Sequence, residues 1–249
     1  MSLRRLVLAC AFGAAALVTT PALAATIDLG LGEIGITMLD ANGYEIWSDS
    51  ASGTQDPKDP NVYNVGDGGG TYGGLTISWE DVSIDIDPGV SGNWAITNNT
   101  LAPQILTLIV DAPVLPVAPS SLMFGSTSIS IADANFDGTA TLATVGVTAL
   151  YNGRIDLVAV TPTTDLFAAP FSLPAPPGGT ASATLSFGAF PGSVPGPAVA
   201  GFIGIQHTFS LSPGDRATFN STFHLIVPEP GTLLLLGASL VLLAVRRSN

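Results

Sequence analysis

The chain has 249 residues, 47% of them hydrophobic and 10% charged, with a formal net charge of −12. That apolar share is too high for intrinsic disorder and leaves room for one domain or two small ones. Of the seven basic residues, Arg4, Arg5, Arg246 and Arg247 sit at the extreme ends, so little remains to neutralise phosphates and no nucleic-acid partner is expected.

The N-terminus carries Arg4 and Arg5, an apolar run from Leu6 to Val18, and then Ala22-Leu23-Ala24. This order of basic, apolar and small-residue regions predicts a secretory signal peptide over residues 1–24, cut between Ala24 and Ala25. As a helix the run would rise only about 20 Å, short of a bilayer core of about 30 Å. Cys10, the one cysteine, leaves with the peptide, so a mature chain has no disulfide, thiolate metal site or thiol nucleophile.

Residues 25–227 form the body, which holds 18 acidic residues against Lys58, Arg154 and Arg216, a balance of −15. Its commonest pattern is alternation: Leu75, Ile77 and Trp79, then Val82, Ile84 and Ile86, place apolar side chains at every second position, the period of a half-buried strand. Further strands are predicted at Ile34 to Leu39, Tyr44 to Trp47, Trp94 to Asn98, Ile105 to Val110, Ser128 to Ile131, Ala140 to Leu150, Ile155 to Val160, Ala181 to Phe187, Phe202 to Leu211 and Ala217 to Val227. Ser212-Pro213-Gly214-Asp215 reads as the turn of a closing hairpin between the last two. Ten or eleven strands at this spacing predict an all-β fold, an antiparallel β-sandwich of jelly-roll or immunoglobulin-like type. One domain is the preferred reading; two small sandwiches divided near Pro113 to Pro119 is the alternative.

The segment Asp49 to Gly74 is rich in Gly and Asp and reads as a long surface loop, with no helix or lysine after its Gly66 to Gly70 run to make a phosphate cradle. Tyr63 and Tyr72 in it, with Trp47 and Trp79 nearby in sequence, have amphipathic faces suited to stacking on sugar rings; core packing is the default for the tryptophans.

No catalytic constellation stands out, and the chain is not expected to be an enzyme. There is no Gly-x-Ser-x-Gly elbow, and neighbouring acids such as Glu80 and Asp81 cannot flank a glycosidic bond. His207 and His224 would approach one another if the last two strands paired; polar residues on an outer sheet face is the plainer reading. No cofactor is expected, with calcium as the weak exception. Asp85 and Asp87 are spaced to share a strand face, and Asp133, Asn135 and Asp137 put oxygen ligands at alternate positions before Gly138. The acid that would close such a calcium loop is missing, Thr144 standing in its place, and Asx-rich turns look the same without metal. Asn98-Asn99-Thr100 and Asn220-Ser221-Thr222 fit the glycosylation sequon.

The C-terminus, residues 228–249, begins with Pro228-Glu229-Pro230, runs through apolar or small residues from Thr232 to Val245, predicted as a transmembrane helix, and ends in Arg246 and Arg247. A span of Gly231 to Val245 would rise about 22 Å, marginal for a bilayer. The three parts together resemble the PEP-CTERM sorting signal. The resemblance implies that Pro228, Glu229 and Pro230 are the recognition motif and that Arg246 and Arg247 stop the tail on the cytoplasmic side. It implies an exosortase-type processing protease as partner, transient residence in the inner membrane, and final placement in the envelope, at the surface or in the medium of a Gram-negative bacterium that makes exopolysaccharide. It is silent about the body, for which a matrix protein, a carbohydrate- or calcium-binding module and a secreted hydrolase remain in that order.

Overall fold

The computed structural model describes residues 29–116, 121–188 and 193–226; the expected signal peptide with its Ala24/Ala25 cleavage point, and the tail with Pro228, Glu229, Pro230, Arg246 and Arg247, lie outside them. The described residues are all-β, and every strand pairing is antiparallel. In chain order the strands are β1 (Glu33–Leu39), β2 (Glu45–Gln55), β3 (Val62–Val65), β4 (Gly68–Tyr72), β5 (Leu75–Asp85), β6 (Gly89–Asn98), β7 (Gln104–Pro113), β8 (Ser121–Ala132), β9 (Ala140–Ala143), β10 (Tyr151–Ile155), β11 (Val158–Ala159), β12 (Ser172–Ala175), β13 (Thr180–Phe187), β14 (Val194–Gly196), β15 (Phe202–Leu211) and β16 (Arg216–Ile226).

Hydrogen bonding runs along one open path, β11-β10-β15-β7-β1-β2-β3-β5-β6-β16-β8-β13. The path turns on β2, whose residues Glu45 to Ser52 pair with β1 while Gly53 to Gln55 pair with β3. Strands on either side of Pro113 pair with each other, β7 with β15 and β6 with β16.

The two halves of the path meet through β15 and β16. In β15, Ile203, Ile205, His207, Phe209 and Leu211 are buried; in β16, Ala217, Phe219, Ser221, Phe223 and Leu225 are buried, each set at period two. These faces touch, with the Phe209 and Phe219 rings 4.9 Å apart and His207 stacked on Phe219 at 4.4 Å. Fully burying side chains of this size is worth about 1.5–3 kcal/mol each.

The two alternating runs around Trp79 and Val82 form one strand, β5, although they are out of phase by one residue. Both sets face the core because the register slips between Glu80 and Ser83, where Asp81 takes a left-handed φ of 52°. An extra residue in one strand is what restores phase to a shifted pattern.

Several expectations are corrected. β15 and β16 do not form a closing hairpin: β15 pairs with β7 and β10, β16 with β6 and β8, and Ser212 to Asp215 carries the chain from one half of the path to the other. Asn98 anchors this crossover, donating from its buried side-chain amide to the carbonyls of Leu211 and Ser212, while its backbone carbonyl accepts the Gly214 amide. Engaged in this way and fully buried, the Asn98 sequon presents no free acceptor amide. Ala140 to Leu150 is strand only to Ala143, and the Ile155 to Val160 run is split by left-handed Asp156 and Leu157.

Asp49 to Gly74 is not one loop, for it contains the rest of β2 and all of β3 and β4. Trp79 lies against Gly68, and Trp47 against Gly70, where an added Cβ would meet the indole at 2.9 Å. The glycines are therefore a bed for two rings rather than a source of mobility.

Candidate functional site

A cleft of mixed polar and apolar lining lies beside the end of β4. It measures about 390 Å³ and is lined by Asp40, Ile46, Tyr72, Gln104 and Ile105 among others. Tyr72, the last residue of β4, is 53% exposed, and Ile105 is exposed beside it. Asp40 sits in the turn after β1, where its Oδ1 accepts the amides of Asn42 at 2.8 Å and Tyr44 at 2.9 Å. The Tyr44 amide, the largest influence, holds its carboxyl below the usual carboxylate range and so keeps it an acceptor. Gln104 donates its side-chain amide to Thr100 Oγ1 at 3.1 Å. An aromatic face beside a fixed carboxylate and an amide suits a neutral polyhydroxylated ligand, whose ring stacks while its hydroxyls donate to Asp40.

The other aromatic candidates are packed away from this cleft. Trp79 is buried and donates to the Gly66 carbonyl at 3.1 Å, with the half-buried Trp47 ring 6.3 Å from it. Tyr63 is half-buried and lies over Gly32 and Gly53. Asp40 and Gln104 were missed in the sequence because a turn acid and a strand-edge amide carry no motif.

The structure does not bring the histidines together. His207 is fully buried, its Nε2 3.1 Å from Ser221 Oγ, which is 2.7 Å from Thr127 Oγ1. Burial lowers its pKa to about 3, and its Nδ1 has no partner, so the acid that would orient a catalytic imidazole is missing from this Ser–His contact. His224 points from the opposite face of β16 and stacks on Phe124 at 5.1 Å, its pKa lowered by burial against the pull of Asp85. The outer-face reading therefore holds for His224 and fails for His207, which alternation places with the inward apolar residues.

Asp85 and Asp87 do not share a strand face. β5 ends at Asp85, and the Asp87 amide donates to Asp85 Oδ1 at 2.9 Å in the turn that follows. Burial raises the Asp85 pKa, with the Asp87 and Asp59 charges acting in the same direction. Between β8 and β9, Asp133 accepts the amides of Phe136 at 2.9 Å and Gly178 at 2.8 Å, and Asn135 donates to Asp137 at 2.7 Å. The side chains thus form Asx turns. Among the described residues no group of three or more His, Cys, Asp or Glu is arranged to hold a metal ion. Nor is any described helix long and apolar enough to cross a membrane; the expected span, 232–245, lies outside those residues.

Two solved structures show weak likeness, each 12% identical. The K1 cleaved adhesin domain of Lys-gingipain from Porphyromonas gingivalis W83 covers 53% of this chain and 73% of its own, with a TM-score of 0.26. A cyclase from Fischerella sp. TAU, in complex with 4-(1H-indol-3-yl)butan-2-one, covers 71% of this chain and 95% of its own, with a TM-score of 0.24. Scores this low define no shared fold. No curated protein sequence matches the chain. The tail gives a different result, for residues 227–248 match the PEP-CTERM protein-sorting motif. That motif implies export to the Gram-negative envelope or surface and processing by an exosortase, a membrane protein, to which the narrower expectation of a protease is corrected. The chain carries a PEP-CTERM sorting signal at its C-terminus.

Proposed function

We propose that this is a non-enzymatic protein of the cell surface or extracellular matrix, sorted by an exosortase through its tail and associated with exopolysaccharide or biofilm. The observation that carries this is the sorting motif at residues 227–248, in a chain whose first 24 residues read as a secretory signal. The body is then the working part, a two-layer antiparallel sandwich that presents its loops to the matrix. Replacing Pro228, Glu229 and Pro230 with alanine should leave the protein uncut in the inner membrane. Mass spectrometry of both termini should find the wild type starting at Ala25 and ending close to Pro230. Normal release of the alanine variant would overturn sorting by this motif.

A second reading is favoured by the Tyr72 cleft, in which the body binds a neutral glycan. The Tyr72→Ala variant should then elute earlier than wild type from a column of the host's polysaccharide, with its thermal midpoint unchanged, since the ring is half exposed. Equal retention of the two would remove this cleft as the binding site.

A further inference from the structure

The path of paired strands ends on β13, whose outer edge is bare among the described residues. β8 holds β16 along one side and, along the other, β13 at Gly125 to Ala132 followed by β14 at Ser121 to Met123. Apart from β8, no described group hydrogen-bonds to the main chain of Thr180 to Phe187. Every second residue of β13 therefore points an unpaired N–H and C=O outward. The other open edges are interrupted in ways that discourage strand addition. β4 begins with Gly68, Gly69 and Gly70, β11 has two residues, β12 contains Pro174 and β14 contains Pro195. The length of β2 that pairs only with β1 carries Glu45 and Asp49. β13 runs for eight residues with no proline, glycine or charge. An edge of that length without such a device is a template for another strand.

We propose that the β13 edge pairs with the β13 edge of a second copy of this chain, antiparallel about a twofold axis at Ala183, so that the two sheets continue into one another. Charge and the strand's own pattern identify the occupant. A body with 18 acids and three bases repels its own copies over most of its surface. No Asp, Glu, Lys or Arg occurs from Leu166 to Gly214, the stretch that holds β12 to β15, nor from Ala112 to Ala132, which includes β8. A second copy thus approaches along β13 without setting acid against acid. Residues directly opposite in an antiparallel pair share a face. About Ala183 the pairs are Ala181 with Leu185 and Ser182 with Thr184, each formed twice, so core face continues into core face. Ala181, Ala183 and Phe187 pack against the core, and Leu185, of the same alternation but 43% exposed, gains the second copy's Ala181 as cover. Ser182 and Thr184 are exposed and meet hydroxyl to hydroxyl, as Thr184 already donates to Ser128 Oγ of β8 at 3.0 Å. The contact is isologous and closes at two copies. A strand edge of eight residues, about 27 Å long, is a small interface, so the dimer exchanges with monomer. It uses no residue of the Tyr72 cleft and does not depend on the proposed function.

The test uses the full chain in density-matched detergent, its mass followed by sedimentation equilibrium across a concentration series. We expect a monomer–dimer equilibrium with a Kd of about 10⁻⁵ M. Ser182→Lys with Thr184→Lys sets like charges opposite one another and should weaken the dimer at least about tenfold. Ser182→Lys with Thr184→Glu sets lysine opposite glutamate in this register and should keep the Kd within about threefold of wild type. Both positions are exposed, so the thermal midpoints of the dilute variants should equal that of the wild type. A wild type that stays monomeric throughout would overturn the proposal. So would a dimer that the two lysines do not weaken, since its contact then lies elsewhere, and so would equal weakening by both double variants, which denies the register about Ala183.

Discussion

The two ends of β15 handle acidic residues in opposite ways. At the Phe202 end, Asp156 accepts the consecutive amides of Ala200, Gly201 and Phe202 at 2.9 to 3.2 Å. There too Asp111 pairs with Arg154 at 3.0 Å, and the guanidinium also serves Gln206 and the Leu157 carbonyl. At the Leu211 end, Asp215 keeps an unpartnered oxygen beside two further acids. A body with three bases for 18 acids cannot give each acid a counter-charge, so most depend on backbone donors. Where the chain turns so that amides converge, the carboxylate is satisfied internally; where it crosses from one half of the path to the other, it is not.

The largest effect expected from disturbing this contrast is at the well-partnered end. Arg154→Met removes the buried base and leaves Asp111, whose pKa burial already raises, without its partner. The cost should be about 3–5 kcal/mol by denaturant unfolding. The double variant Arg154→Met with Asp111→Leu should recover most of it, because no charge is then stranded. A loss below about 1 kcal/mol for the single variant would show that the pair is solvated and that this end is not held by charge. Asp156→Ala should cost about 1–3 kcal/mol, since three neighbouring amides lose one acceptor together.

These partners show where sequence reading stops. Phe202 to Leu211 is legible to the residue, because its apolar positions alternate without interruption and turn residues bound it. The Leu75 to Asp87 stretch shows its two phases, but the bulge at Asp81 that reconciles them is a property of pairing with β6. Gly66 to Gly70 resembles a flexible loop because the tryptophans that lie on it are supplied by β2 and β5. Ser212 to Asp215 has the composition of a hairpin turn, and nothing local separates a turn between paired strands from one that joins distant strands of the path. The cleft fails for the same reason, its partners being joined by the topology. The tail is legible in full because its three parts are contiguous.

Midway along β15, His207 provides a pH test of burial without compensation. Its pKa is about 3 in the folded state against about 6.5 unfolded, so the unfolded chain binds the proton more readily between these values. Stability therefore falls as pH drops below about 6.5, by up to about 1.4 kcal/mol per pH unit. His207→Phe should flatten that slope between pH 7 and 5 relative to wild type, leaving the smaller contribution of His224, which burial shifts the same way. An unchanged slope would mean that the core admits water and that His207 titrates normally.

The smallest effect should be the one at the Leu211 end, and its sign is the informative part. Burial raises the folded pKa of Asp215, and the Asp133 and Asp137 charges add to this against the Ser212 hydroxyl. The folded state thus holds that proton more tightly than the unfolded one, so the penalty is present above the folded pKa and is relieved as pH falls through it, opposite to His207. At neutral pH, Asp215→Asn removes one of three like charges at constant shape and should stabilise the protein slightly, by about 1 kcal/mol or less. Asp156, whose carboxylate accepts three backbone amides, should instead lower stability when replaced. A clear loss of stability from Asp215→Asn would show instead that this carboxylate, like that of Asp156, is satisfied by the chain.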